Sequence, residues 1–390
     1  MVAESFPPDV NGVAHCTLRV AEHLVARGHE PLVIAPAPAA GTPGAGGPFP
    51  CPVIRMRSVP MPGYRSFHIG LPGRGLRSAL AGHRADLVHL ASPFVLGGAV
   101  HAAPTVAVYQ TDIAGYAREY RAGRLGEAAA WHWLRRIHNA ADRTLAPSTA
   151  SARSLREHGV HRVRVWGRGV DTGLFHPARR SERLRRELAP GGEVLVGYIG
   201  RLAPEKRVGL LGQVAATPGV RLVVVGGGPA GAALRRALPQ ALFVGPRHGT
   251  ELATIYASLD VFVHAGACET FGQTLQEAAA SGLPVVAPAA GGPLDLVDHG
   301  VTGYLVAPGD AGALAGAVER LARDPQLRLA MGRAGREKTI GRSWRALGDQ
   351  LIAHYAALLD EPWPALPLGV PVTAGVAGPL GTEHQAGVPR

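Results

Sequence analysis

Asp260-Val-Phe-Val-His-Ala-Gly-Ala-Cys-Glu-Thr-Phe-Gly-Gln-Thr-Leu-Gln-Glu277 is the stretch from which the fold is read. Asp260 to His264 is a short apolar run of strand type, and Gly272 to Ser281 has the character of a helix closed by Gly282, in the position where helices favour glycine. Strand, loop and helix in that order are the repeating unit of a parallel α/β layer. Glu269 therefore falls in the loop and Glu277 inside the helix. Between them, the amides of Thr270, Phe271 and Gly272 sit at a helix N-terminus, where orphan N–H groups and the positive dipole end favour an anion or a polar ligand. One carboxylate can hold hydroxyls on one side of a phosphate while the other holds hydroxyls beyond it. A sugar diphosphate nucleoside has that layout of hexose, pyrophosphate and ribose. The same spacing also suits a solvated pair flanking a helix start.

A second element points the same way. Glu193-Val-Leu-Val-Gly-Tyr-Ile-Gly200 is a buried-strand pattern ending in glycine, and it runs into Arg201-Leu-Ala-Pro-Glu-Lys206, with Pro204 suited to a first helical turn. Arg201 and Lys206 can then address one anion. Only two lysines occur among the forty basic residues, so Lys206 beside a helix start reads as a point-charge phosphate contact. The alternative is a surface charge on an exposed turn.

The α/β rhythm extends along the chain. Val13 to Arg27 reads as an amphipathic helix stopped by Gly28, followed by apolar strands near Leu32, Leu87, Val106, Leu145 and Val163. The rhythm restarts near Glu193 and continues near Val223, Phe243, Val261, Val285 and Tyr304, which predicts two Rossmann-like halves. The arginine-rich segment from Ala178 to Pro190 predicts a short helix leading out of a linker, and Trp344 to Leu359 predicts a closing helix. From Asp360 onward proline and glycine dominate, the composition of a disordered tail. At the other end only Met1-Val-Ala-Glu precede Ser5, fewer than the about five residues of a typical strand. That predicts a stunted first strand or a native start upstream.

Val223-Val-Val-Gly-Gly-Gly-Pro-Ala-Gly231 places Gly226, Gly228 and Gly231 in the G-x-G-x-x-G array of dinucleotide binding. The ribose-binding acid expected roughly twenty residues on is replaced by Gly245-Pro-Arg247. The glycines are read instead as permitting close backbone packing.

Composition narrows the classes further. With 390 residues, 46% of them apolar, the chain can build two cores. Cys16, Cys51 and Cys268 lie far apart, against both a zinc site and a disulfide framework, and they suit a reducing cytoplasm. The uncharged span Leu87 to Thr111 contains His89, Pro93, His101, Pro104 and Gln110, and reads as two buried strands joined by a turn or short helix rather than a membrane span. Net charge is +11, and residues 1–180 hold 21 arginines against 11 acidic residues. No aromatic interleaving or binding motif supports nucleic acid. An anionic membrane surface, attracting about 1 kcal/mol per clustered basic residue, fits better. Replacement of lysine by arginine in a GC-rich genome explains the residue type but not the one-sided charge.

Taken together, Ala3-Glu-Ser-Phe-Pro-Pro-Asp-Val-Asn-Gly-Val13, Tyr109-Gln-Thr-Asp112, Gly169-Val-Asp-Thr-Gly-Leu-Phe175, Gly200-Arg-Leu-Ala-Pro-Glu-Lys206, the glutamate pair and Ala290-Gly-Gly-Pro-Leu-Asp-Leu-Val297 resemble glycosyltransferase family 4 over residues 1–359. Within it the likeness is to GDP-mannose-dependent α-mannosyltransferases of actinobacteria. The resemblance implies an α/β GT-B fold: a Rossmann-like acceptor domain over 1–175, a Rossmann-like nucleotide-sugar domain over 190–343, and a helix over 344–359 crossing back to the first, with the tail at 360–390. It implies a retaining, metal-independent transfer of a hexose, mannose from GDP-mannose, to a lipid-linked or glycan hydroxyl, at the cytoplasmic face of the membrane and without a cofactor.

The resemblance also assigns roles. Glu269 holds the hexose hydroxyls, with Thr270, Phe271 and Gly272 as backbone contacts, and Glu277 holds the ribose. Arg201, Lys206 and backbone groups around Gly12 receive the diphosphate. Gln110, where some relatives carry histidine, can donate a hydrogen bond but cannot shuttle a proton. Asp112 either orients the acceptor or sugar or caps the helix from Ile113 to Tyr120. No nucleophile stands out, so the acceptor hydroxyl attacks from the face the diphosphate leaves. A UDP-sugar transferase of the same family, a GT-B UDP-sugar epimerase and a catalytically silent sugar-binding relative are the alternatives.

Overall fold

The computed structural model describes residues 1–359 except 40, 43, 45–46, 62–63, 100–102 and 120–122; the tail expected over 360–390 lies outside the described residues. In chain order the strands are β1 (Val2–Ala3), β2 (Val33–Pro36), β3 (Val53–Met56), β4 (Ser58–Met61), β5 (Tyr64–Gly70), β6 (Val88–Ala91), β7 (Thr105–Val108), β8 (Arg143–Ala146), β9 (Val163–Val165), β10 (Val194–Ile199), β11 (Val220–Val225), β12 (Leu242–Gly245), β13 (Val261–Val263), β14 (Val285–Pro288) and β15 (Gly303–Val306). Seven form one parallel sheet in the order β3-β2-β1-β6-β7-β8-β9, and six form another in the order β12-β11-β10-β13-β14-β15. Both orders double back around their first strand, which is the doubly wound arrangement that places ligands at the carboxyl ends of the strands. This is the GT-B architecture.

The central strands carry continuous apolar runs because helices cover both faces. Leu195, Val223, Phe262 and Val285 enter one core layer, while Val196, Val224, Val261 and Val286 enter the layer on the other face. β1 is only two residues long and pairs with β2 and β6. Within the span from Leu87 to Thr111 the described elements are β6, a 3₁₀ turn over Gly97–Ala99 and β7. β3 and the antiparallel hairpin of β4 and β5 had no counterpart in the sequence reading. No helix among the described residues is long and apolar enough to cross a membrane.

The helix Trp344–Leu359 lies against the helix Gly12–Ala26. Leu347, Leu351 and Ile352 pack with Cys16, Val20 and Leu24, each such buried side chain contributing about 1.5–3 kcal/mol. Polar contacts fix the register: His23 Nε2 lies 2.9 Å and Arg27 Nε 2.8 Å from Asp349 Oδ1, and Trp166 Nε1 donates to Leu347 O at 2.8 Å. The second sheet thus begins at β10, and the last described helix returns to the first half.

Candidate functional site

The loop from Ala265 to Gly272 leaves the carboxyl end of β13 and enters the helix Gln273–Ala280, with Gly272 at φ 98° in the left-handed region at its start. Among the described residues the amides of Thr270, Phe271 and Gly272 make no intramolecular hydrogen bond, as orphan donors of a first turn do. The following Gly-Gly-Pro turn presses on this loop from behind. A methyl on Gly291 would lie 2.2 Å from Glu269 O, and one on Gly292 only 1.9 Å from Phe271 O. Gly292 N donates to Glu269 O at 2.7 Å. Gly291 and Gly292, quoted above only within the family motif, support the glutamate loop.

Glu269 meets Lys206 directly. Lys206 Nζ donates to Glu269 Oε2 at 2.6 Å, with both side chains largely buried. Burial disfavours charge on each partner, but each holds the other ionised: the Lys206 pKa rises above its ordinary value and that of Glu269 falls below the usual carboxylate range. The turn carrying Lys206 is a 3₁₀ turn over Pro204–Lys206, and Gly266 packs so closely on it that a methyl there would lie 2.9 Å from Glu205 O. Arg201 pairs with the buried Glu205. Each of the two cations has a carboxylate neighbour, Glu205 for Arg201 and Glu269 for Lys206.

Behind the pair stands His264, which the sequence reading passed over as the end of a strand. It is buried, its Nε2 is 3.6 Å from Glu269 Oε2, and its ring stacks at 6.2 Å on Tyr198. Burial lowers its pKa to about 4, so the imidazole is neutral at physiological pH. Glu277 faces the other way. It accepts from Tyr256 Oη at 3.1 Å, and burial pushes its pKa up to about 7.

The first half of the chain contributes its own groups. Thr270 Oγ1 donates to Gln110 O at 2.9 Å, joining the glutamate loop to the end of β7. Gln110 is buried, its Oε1 accepts from Arg168 Nη2 at 2.8 Å, and its Nε2 has no partner. Asp112 behaves as a helix cap: its Oδ1 accepts from Gly115 N at 2.8 Å and Tyr109 Oη at 3.1 Å, at the start of the helix Ile113–Glu119. That helix packs on the Pro204–Lys206 turn, bringing Asp112 near the cleft while its carboxylate is engaged locally. Gly12 opens the helix Gly12–Ala26 beside Arg168, whose Nη1 would lie 2.8 Å from a methyl at that position. Arg168, unremarked in sequence, is the basic residue that links Gly12, Gln110 and Phe271, its Cζ lying 6.0 Å from the Phe271 ring centre.

The two halves are stitched around this cluster. Gln273 Nε2 donates to Gly169 O at 3.1 Å, Gln276 Nε2 to Arg168 O at 2.9 Å and Ser151 Oγ to Thr270 O at 3.2 Å, while the Asp295 carboxylate accepts from Thr149 N at 2.6 Å and from its hydroxyl. The glycine array of Gly226 and Gly228 has a packing function: methyls there would lie 2.0 Å from Gly200 O and 2.4 Å from Leu202 O, so the glycines let two loops stack at the carboxyl edge of the sheet.

Comparison with known proteins gives a consistent picture. Residues 10–174 match the family model described as Glycosyltransferase Family 4, and residues 180–338 match that of Glycosyl transferases group 1. The chain is 48% identical to a GDP-mannose-dependent alpha-mannosyltransferase of Mycobacterium tuberculosis (strain CDC 1551 / Oshkosh), over 92% of this chain and 96% of the relative. It is 43% identical to the Corynebacterium glutamicum protein of the same description, over 96% of this chain and 91% of the relative. Among solved structures, Anabaena HepE in complex with UDP and glucose superposes with a TM-score of 0.73 at 22% identity, covering 91% of this chain and 98% of that one. Sucrose-phosphate synthase from Thermosynechococcus elongatus gives a TM-score of 0.74 at 23% identity, covering 90% and 94%.

Proposed function

The chain belongs to glycosyltransferase family 4, and from that premise we propose that it transfers mannose from GDP-mannose to a hydroxyl of a lipid-linked or glycan acceptor, with retention at the anomeric carbon. The observation that carries this reading is the Lys206–Glu269 pair at the mouth of the unpaired amides of Thr270 to Gly272. A cation, a carboxylate and a helix start within one loop match the junction of a sugar and its diphosphate.

In this reading Glu269 accepts hydrogen bonds from hexose hydroxyls. Lys206 keeps one N–H on Glu269 and turns its others to the diphosphate, since an ammonium has three donors. Glu277 takes the ribose hydroxyls. The bond from C1 to the diphosphate oxygen breaks, the acceptor oxygen bonds to C1 on the same face, and its proton passes to a phosphate oxygen of the departing diphosphate. Fixed positive potential from Lys206, Arg201 and backbone amides carries the developing charge, so the reaction requires no metal ion. The excess of arginine in residues 1–180 suits an acceptor held at an anionic membrane surface on the cytoplasmic side.

Calorimetric binding of GDP-mannose, UDP-glucose, UDP-galactose, UDP-N-acetylglucosamine and NADH tests the reading, followed by transfer assays with the sugar that binds. Selective binding of GDP-mannose and acceptor-dependent release of GDP are expected. A UDP-sugar winning would overturn the sugar donor while leaving the family, and turnover without acceptor would assign an epimerase.

A further inference from the structure

Arg168 is a buried cation whose charge is felt by the Glu269 carboxylate without an ion pair between them. It is 7% exposed, and among the described residues it forms no ion pair. Its main chain is pinned by Gln276, its guanidinium lies over Phe271, and its Nη2 donates to Gln110 Oε1. A guanidinium has only hydrogens to offer, so the Gln110 atom facing it must be the oxygen. That fixes the amide, leaving Gln110 Nε2 as a buried hydrogen-bond donor without an acceptor. The two side chains therefore converge as a pair that can only donate. Leaving a buried amide donor such as Gln110 Nε2 unmet costs about 1–3 kcal/mol.

We propose that Arg168 and Gln110 form an oxyanion receptor that takes the diphosphate of the sugar donor from the first half of the chain, while Lys206 takes it from the second. Gly12 leaves room for the Arg168 guanidinium, and Phe271, in the glutamate loop, holds it in plane. A planar fork of N–H groups matches phosphate oxygens in pairs. The Gln110 backbone is tied to Thr270, so closing the halves on each other brings the receptor and the glutamate loop to one ligand. The proposal rests on reading the site as one for a nucleoside diphosphate sugar.

The test is calorimetric binding of GDP and of guanosine to the full chain and to Arg168→Gln and Gln110→Glu, with thermal melting of each. Arg168→Gln is expected to weaken GDP at least about tenfold and guanosine less than about twofold. Gln110→Glu gives Arg168 an internal carboxylate; it is expected to hold or raise the melting temperature and still weaken GDP at least about tenfold, whereas a structural arginine would gain from that partner without loss of GDP. Unchanged GDP affinity in either folded variant overturns the proposal. Unchanged GDP affinity with a raised KM for a phosphate-bearing acceptor does so too, and assigns the receptor to the acceptor instead. Should the wild-type chain bind UDP in place of GDP, the mannose reading fails, and the same ratio measured with UDP and uridine still decides the role of Arg168.

Discussion

Replacing Gly292 by alanine tests whether the Gly-Gly-Pro turn sets the position of Glu269. The added methyl would sit 1.9 Å from Phe271 O and 2.5 Å from Phe271 Cα, both backbone atoms that no rotamer change can move aside. Real Cβ contacts essentially never fall below 3.0 Å, so one of the two loops must retreat by about 1 Å. The retreat also strains the 2.7 Å hydrogen bond from Gly292 N to Glu269 O. Glu269 holds Lys206 at 2.6 Å, and a shift of that size takes the carboxylate out of position for both cation and sugar. Misplacement by about 1 Å costs on the order of 10²-fold in rate, or about 2.7 kcal/mol of barrier. The assay is kcat/KM for mannosyl transfer, with Gly300→Ala as the control. Gly300 has positive φ, at 79°, where Gly292 has −59°, but nothing lies within 4 Å of a methyl at Gly300, so that variant pays only local backbone strain and keeps its rate. A Gly292→Ala enzyme within about threefold of wild type would show that the turn does not position Glu269.

Lys206→Ala and Glu269→Ala should each lower turnover at least about tenfold, read as kcat at saturating sugar donor; wild-type rates in both would remove the pair from the mechanism. Arg201→Ala should do the same, although its pairing with buried Glu205 makes a melting curve a necessary companion. The raised pKa of Glu277, about 7, means the folded chain binds a proton there that the unfolded chain releases above about pH 4.5. This contribution favours folding at low pH and is lost as pH rises through about 7, so Glu277→Gln should gain melting temperature relative to wild type at pH about 8.5 compared with pH about 5. Equal differences at the two pH values would refute it. EDTA should leave transfer unchanged, and a strict magnesium requirement would contradict the proposed charge stabilisation by Lys206 and Arg201.

The parallel sheets were legible because their strands are buried on both faces. Runs such as Val194–Ile199 and Val220–Val225 advertise themselves without any need for alternation. β3 was not legible, since Arg55 interrupts it; its guanidinium lies 5.5 Å from the Phe6 ring and 5.6 Å from that of Phe49, partners brought in by tertiary structure. Pro60 likewise masks β4, an edge position where proline is tolerated. At the site, Glu269, Glu277 and Lys206 could be picked out because a strand-to-helix junction gives charge at fixed spacing a chemical meaning. Arg168 and His264 carried no such local signal. Arg168 acquires meaning from Gln110, fifty-eight positions away, and His264 from burial against Tyr198 and Glu269.

The bonds that join the two halves and the loop that carries Glu269 fall on the same short segment. Thr270 Oγ1 reaches across to Gln110 O, and Thr270 O accepts from Ser151, so the residue after Glu269 is bonded to the first half through both its side chain and its backbone. Gln273 and Gln276, one and four positions into the helix, donate to Gly169 O and Arg168 O. Any opening of the cleft must break these bonds, and since all of them load on the segment from Thr270 to Gln276, opening must also release the constraint on Glu269 and on the amides beside it. A sugar donor bound to the second half alone would meet a glutamate loop held by Gly291, Gly292 and the Lys206–Glu269 pair, without the bonds from the first half. The arriving first half would then supply its bonds to Thr270, Gln273 and Gln276 together with Arg168 and Gln110. Of these, the bonds to Thr270, Gln273 and Gln276 join the halves without receiving the diphosphate, so weakening them should lower kcat more than it weakens nucleotide binding. Thr270→Val removes the hydroxyl that donates to Gln110 O at little change in volume, and is expected to show that split; an equal loss in nucleotide affinity and kcat would mean the loop is set before the halves meet.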